Sequence, residues 1–212
     1  EELEDVSWIA SVGPQAFGEE IAWVIDEAIF KGNGVGKPLG FQTSGAVVTV
    51  SKVAGQPAGS FEYQNAADMW ARVPSRSVSR LAWLVNQDVM PQLQIMRMPG
   101  GLGGMSPVFL PPSGAAEAPF GTVFGRPIVP TEHNPTLGTA GDVVLADLGW
   151  YALVRKAGVK AASSIHVRFV YEETAFRFST RVNGIPMLSS PITPASGSGN
   201  TISPFVQLQT RS

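Results

Sequence analysis

The sequence predicts an α+β chain, and three observations carry that prediction. Apolar residues recur at three- and four-residue steps through the opening segment, the period of an amphipathic helix. Short apolar runs broken by glycine and proline fill the middle of the chain, as short strands would. Strict apolar–polar alternation then appears around residues 165–181. One long helix, scattered strands and segregated short helices, with no internal repeat, fit α+β and not regular βαβ units. The 212 residues suffice for one substantial core or two modest ones.

The opening helix places Val6, Ile9, Gly13, Phe17, Ile21, Val24 and Ala28 on one face. Asp5 is the expected N-cap. Gly13-Pro14 should bend or split the helix, because proline removes a donor and clashes with the preceding turn. Gly32 is the expected stop after Lys31. A glycine-rich loop, Gly32 to Gly40, follows.

The middle reads as a strand at Ala46–Val50, a helix at Ala66–Arg72 and a strand at Ser79–Asn86. A helix at Asp88–Arg97 carries Pro91 in its first turn, where proline is tolerated. Pro99 to Gly104 is a loop with four glycines. Pro107–Leu110, Thr122–Val129 and Asp142–Leu148 are further strands, the last with a continuous run, Val143-Val144-Leu145, expected to be buried on both faces.

Near the end Ile165, Val167, Phe169 and Tyr171 alternate with His166, Arg168 and Val170. Glu172-Glu173-Thr174 breaks the run. Phe176 and Phe178 then alternate with Arg177, Ser179 and Arg181, and Asn183-Gly184 is the favoured pair for a tight hairpin turn. The reading is a half-exposed antiparallel ribbon, apolar on one face and arginine-bearing on the other. It is either a solvated hairpin or a ribbon laid across a neighbouring subunit. Residues 189–200 read as a linker and 204–208 as a last strand.

Composition narrows the function. Hydrophobic residues make up 44% of the chain and charged residues 15%, against about 25% charged in an average domain. Such a chain is either compact and loop-rich or covered by its neighbours. The net charge of −2, with no basic tail, does not indicate strong nonspecific binding to nucleic acid. The absence of cysteine excludes disulfides, thiolate nucleophiles and zinc–sulfur sites. No apolar run approaches the roughly 20 residues of a membrane span. The acidic start, Glu1 to Asp5, lacks a signal peptide's basic region, and a first residue other than methionine suggests a processed or truncated product.

No catalytic constellation emerges. His133 and His166 are the only histidines, and neither belongs to a metal-binding spacing. No G-x-S-x-G elbow is present. Asp142 and Asp147 lie five positions apart along one strand and point to opposite faces. Glu172 and Glu173 sit in a turn. The Gly36-Lys37 pair resembles the end of a P-loop, but Lys31 stands at the first glycine's position and Pro38 replaces the Ser or Thr. The loop also leaves a helix instead of entering one. No catalytic residue, cofactor or metal is therefore expected. Trp23, Trp70, Trp83 and Trp150 read as core or interface anchors.

In this order the segments resemble tailed-phage major capsid proteins of the Hong Kong 97-like fold family. Ile29 to Gly40 is similar to the end of their spine helix and its loop. Ser79 to Asn86 resembles their tryptophan–asparagine strand. Phe124 to Val129 and Gly141 to Leu148 resemble two later strands, and Phe176 to Gly184 the peripheral hairpin. Together these cover most of the chain.

The resemblance implies an α+β Hong Kong 97-like capsid fold with an axial (A) domain and a peripheral (P) domain that includes the long spine helix. The peripheral domain would comprise residues 1–44 and 161–197, and the axial domain residues 45–160 and 198–212. The family's N-terminal arm and extended loop, which precede the spine helix, have no counterpart here. The lysine and asparagine of covalent crosslinking in some relatives are not matched.

The resemblance further implies a non-enzymatic major capsid protein of a phage or prophage. It would self-assemble through pentamers and hexamers into an icosahedral shell in the host cytoplasm. Expected partners are further copies of itself, scaffold, protease and portal proteins, and packaged double-stranded DNA held without sequence-specific contacts; no membrane is implied. Candidate subunit-interface residues are Trp23, the loop glycines Gly100, Gly101, Gly103 and Gly104, and Arg168, Arg177 and Arg181. Two other readings stay open: an encapsulin-type compartment shell of the same fold, and a hydrolase using His133 with a nearby carboxylate.

Overall fold

The computed structural model describes residues 6–98, 106–110, 120–171, 173–196 and 199–211. In chain order its first elements are α1 (Val6–Lys31), β1 (Val48–Val50), α2 (Tyr63–Ala71), β2 (Ala82–Val85) and α3 (Met90–Ile95). Then come β3 (Arg97–Met98), β4 (Ser106–Pro107), β5 (Phe109–Leu110), β6 (Thr122–Val123) and β7 (Arg126–Pro130). The last are β8 (Val143–Ala146), β9 (Tyr151–Arg168), β10 (Glu173–Pro186) and β11 (Phe205–Leu208). The fold is mixed α and β. It divides into two compact units, Glu1–Gly40 with Leu153–Ile185, and Phe41–Ala152 with Pro186–Ser212.

In the first unit α1 runs without a break through Gly13-Pro14. The helix is not split there. Asp5, the expected N-cap, lies outside the described residues. At the other end the Gly32 amide donates to the Ala28 carbonyl at 2.8 Å, and the Gly40 amide donates to the Gly32 carbonyl at 2.8 Å. An isolated bridge between Asn33 and Leu39 closes the loop between them. A Cβ on Gly40 would stand 2.5 Å from the Phe30 carbonyl oxygen. Close backbone approach is therefore what requires glycine there.

β9 and β10 pair as a two-stranded ribbon, joined through a short 3-10 turn at Phe169–Tyr171. Phe178 of β10 stacks on Phe17 of α1 with ring centroids 4.5 Å apart. Asn183-Gly184 is not a hairpin turn. β10 continues through it to Pro186, because the Gly184 carbonyl accepts the Leu39 amide at 2.8 Å and ties the strand to the loop.

The second unit is built on a seven-stranded sheet in the order β1-β11-β8-β2-β7-β6-β5. β1 with β11 and β2 with β7 are parallel; β11 with β8, β2 with β8, β5 with β6 and β6 with β7 are antiparallel. Val143, Val144, Leu145 and Ala146 of β8 are all buried, as their continuous apolar run predicts. Thr122–Val129 is two strands, not one. Phe124 and Gly125 turn the chain between β6 and β7 with φ of 51° and 70°. Positive φ at both central residues suits a two-residue hairpin turn.

Such a φ is costly for phenylalanine. Packing holds it: Phe124 meets Tyr63, Trp70 and Trp83 edge-on, at 5.8, 5.7 and 6.4 Å between ring centroids. Trp83 is buried, and its indole N–H donates to the Val123 carbonyl at 3.0 Å. α2 buries Asn65, Ala66 and Met69. The Asn65 amide pairs with Gln56 at 2.7 and 3.0 Å and also receives the Glu62 amide at 3.0 Å, so it is buried with its partners supplied.

A fully buried ion pair closes this unit. Arg211 grips both carboxylate oxygens of Asp142 and donates through Nε to the Ser60 carbonyl at 2.6 Å. Asp142 also accepts the Gly138 and Val143 amides, each at 2.8 Å. Removing one partner leaves the other charge buried alone, which costs about 3–5 kcal/mol. Arg211→Ala should therefore lower the urea midpoint by the equivalent of that loss, read by tryptophan fluorescence. Gly40→Ala should cost about 1–3 kcal/mol through the forced backbone contact, measurable as faster proteolysis in the 32–40 loop.

Candidate assembly surfaces

Trp23 lies on α1 and is 44% exposed. Arg177 and Arg181 lie on β10, both exposed, and share a concave surface of about 520 Å³ with Lys156 and Lys160 of β9. Arg168 ends β9, but its side chain lies outside the described residues, as do Gly100, Gly101, Gly103 and Gly104. The structure thus brings Arg177 and Arg181 together and leaves Trp23 on a separate element of the same unit. Lys156 and Lys160 escape a reading of the sequence, since the stretch before Ile165 shows no alternation. Pairing with β10 makes it a strand.

The far end of the ribbon is apolar and, among the described residues, largely exposed. Phe169 is 71%, Val170 88% and Tyr171 72% exposed, with Val167 and Ile165 also open beside them. Contiguous exposed apolar surface of this kind marks contact sites, and aromatic residues are the usual anchors of such contacts.

Among the described residues nothing comparable is assembled for catalysis. Asp142 and Asp147 are both buried, and each is consumed by its own arginine. Asp142 serves Arg211. Asp147 accepts Arg80 Nη2 at 2.9 Å and the Gly149 amide at 3.0 Å. His133 is half-buried and His166 exposed. Among the described residues no cluster of histidine, aspartate and glutamate could hold a metal ion. Burial pushes the Tyr151 hydroxyl above its usual pKa, so it stays protonated and cannot serve as a base near neutral pH. A groove of about 640 Å³ in the first unit mixes aliphatic residues of α1 (Ile21, Val24, Ile25) with charged ones, Glu20 and Glu27 of α1 and Arg181 of β10. No described helix is long and apolar enough to cross a membrane.

The Phage capsid family profile matches residues 2–197, nearly the whole chain. The chain belongs to the phage capsid family. It is accordingly a structural capsid protein of phage type and not an enzyme. Two solved structures share its fold. One, described as the capsid of an empty GTA particle computed with C5 symmetry, superposes with a TM-score of 0.67 at 16% identity, over 100% of this chain and 70% of that one. The other, the capsid of a native GTA particle computed with C5 symmetry, gives 0.70 at 15% identity, over 96% of this chain and 66% of that one. This capsid chain therefore spans about two thirds of the length of those it matches. A comparison with curated proteins gives no match.

Proposed function

We propose that this capsid protein is the shell-forming part of a tailed-phage or prophage head protein with a Hong Kong 97-like fold, closing rings of five and six that tile an icosahedral shell around double-stranded DNA. The family match along almost the entire chain carries this reading. The fold shared with capsids solved under C5 symmetry supports it. In this reading α1 is the spine helix. The unit of Glu1–Gly40 with Leu153–Ile185 is the peripheral domain, and the seven-stranded unit is the axial domain. Assembly takes place in the host cytoplasm, with scaffold, protease and portal proteins as partners.

The forces follow from composition. A chain with only 15% charged residues and a largely exposed apolar ribbon end gains by burying that end against a neighbour, at about 25 cal/mol per Å² of apolar area removed from water. Heterologous contacts repeat around an axis and close into rings. DNA needs no specific contact to be enclosed.

Electron microscopy and sedimentation of the purified full-length protein test the reading. Rings or closed shells containing DNA are expected. A strict monomer overturns it, and shells filled with a cargo enzyme in place of DNA point to an encapsulin-type compartment. Phe169→Ser with Tyr171→Ser should cut particle yield at least about tenfold, as loss of anchor residues does, while the circular dichroism spectrum stays that of the parent.

A further inference from the structure

The sequence holds two Asn-Gly pairs, Asn33-Gly34 and Asn183-Gly184. In such a pair the glycine amide nitrogen can attack the asparagine Cγ, since no side chain hinders its approach. Both pairs meet the same residue. Asn33 forms the isolated bridge with Leu39, and the Gly184 carbonyl accepts the Leu39 amide at 2.8 Å. Their surroundings nonetheless differ. Asn33 and Gly34 are both exposed, in the loop that follows α1, whereas Gly184 is buried within β10.

Geometry arms the first pair and restrains the second. Asn33 forms an Asx turn, its Oδ1 accepting the Val35 amide at 3.1 Å. That oxygen takes up negative charge when Cγ is attacked, and a donor already aimed at it stabilises the charge as an oxyanion hole does. The attacking group is loosely held: the Gly34 amide lies 3.4 Å from the Pro38 carbonyl, beyond the usual range of such a bond. Asn33 Nδ2, the leaving nitrogen, has no partner among the described residues. At the second pair Asn183 Oδ1 accepts the Gly184 amide itself, at 2.9 Å. The N–H that must be given up is there committed, and the Gly184 carbonyl is fixed by Leu39.

We propose that Asn33 is a site of spontaneous covalent modification, a deamidation promoted by the loop's own Asx turn, and that Asn183 is protected from the same reaction. The inference is independent of the shell reading. The Gly34 amide nitrogen first loses its proton to water or hydroxide, because its lone pair is otherwise delocalised into the peptide bond. It then forms a bond to Asn33 Cγ. The Cγ–Nδ2 bond breaks, and Nδ2 takes up a proton and leaves as ammonia. Water opens the resulting succinimide at either carbonyl, giving aspartate or isoaspartate. The net reaction consumes one water and releases one ammonia, with no change of oxidation state. Isoaspartate routes the backbone through the former side chain and lengthens the loop by one carbon. The bond to the Val35 amide and the bridge to Leu39 then lose their geometry, and a negative charge stands where a neutral amide stood.

The test is to incubate the full-length protein in mildly alkaline buffer and map its peptides by mass spectrometry, with isoaspartyl methyltransferase labelling to mark isoaspartate. In the folded chain Asn33 should convert at least about tenfold faster than Asn183. In the urea-unfolded chain the two should fall within about threefold of each other, because positioning is gone. Val35→Pro removes the donating amide and should slow Asn33 at least about tenfold, as loss of an oxyanion donor does. Val35→Ala keeps the amide and should keep the parent rate. The comparison of folded with unfolded parent decides the matter even where Val35→Pro disturbs the loop. Asn183 converting as fast as Asn33 in the folded chain overturns the proposal. So does folding that slows Asn33 as much as it slows Asn183, or a folded Val35→Pro variant that converts at the parent rate.

Discussion

Everything in the sheet-bearing unit hangs on a charge that has no access to water. Asp142 sits just ahead of β8, the strand that joins β11 to β2 in the sheet, and its carboxylate is sealed by Arg211 and two backbone amides. Its backbone carbonyl is used as well, accepting the Asn86 amide at 3.0 Å. Asn134, itself buried, donates to that carbonyl and to that of Leu84 at 2.8 Å. One residue thus ties together the ends of β2 and β8, the loop after β7 and the chain's last described residue. A buried pair contributes little net stability against an apolar replacement, but it leaves few alternative arrangements. That is the property a shell subunit needs, because an error in one copy's geometry recurs at every symmetry-related contact.

The helix-and-ribbon unit is built on the opposite plan. Phe17 stacks on Phe178, and the 32–40 loop ties to β10 at Gly184. Farther along, Phe169, Val170 and Tyr171 are largely exposed. A two-stranded ribbon is at best marginally stable in water on its own. A long ribbon with an exposed apolar end gains from any surface that covers that end.

The sequence disclosed the parts of this fold that are governed by local rules. Val143-Val144-Leu145 reads as a doubly covered strand and is one. Pro91 falls in the first turn of α3, where its missing N–H costs nothing. Failures occur where distant residues decide. Asn183-Gly184 has the composition of a hairpin turn, but its pairing with the loop before Phe41 overrides the local preference. The first half of β9, rich in small and basic residues, shows no alternation and becomes a strand only through β10. Asp142 and Arg211 are 69 positions apart, and nothing at either position announces the other. The interface candidates divide in the same way: Arg177 and Arg181 stand out by alternation, while Lys156 and Lys160 become visible only once the strands are paired.

The low charge content has a physical reason. A subunit that buries much of its surface against copies of itself has little need for evenly scattered ions. Stray charges in a contact core would be desolvated without a partner, at several kcal/mol each. The charges that remain are best held at the contact margin, where they select partner and register more than they add affinity. The two fully buried carboxylates, Asp142 and Asp147, already have arginine partners inside the subunit. Internal pairs of this kind fix the shape of one copy.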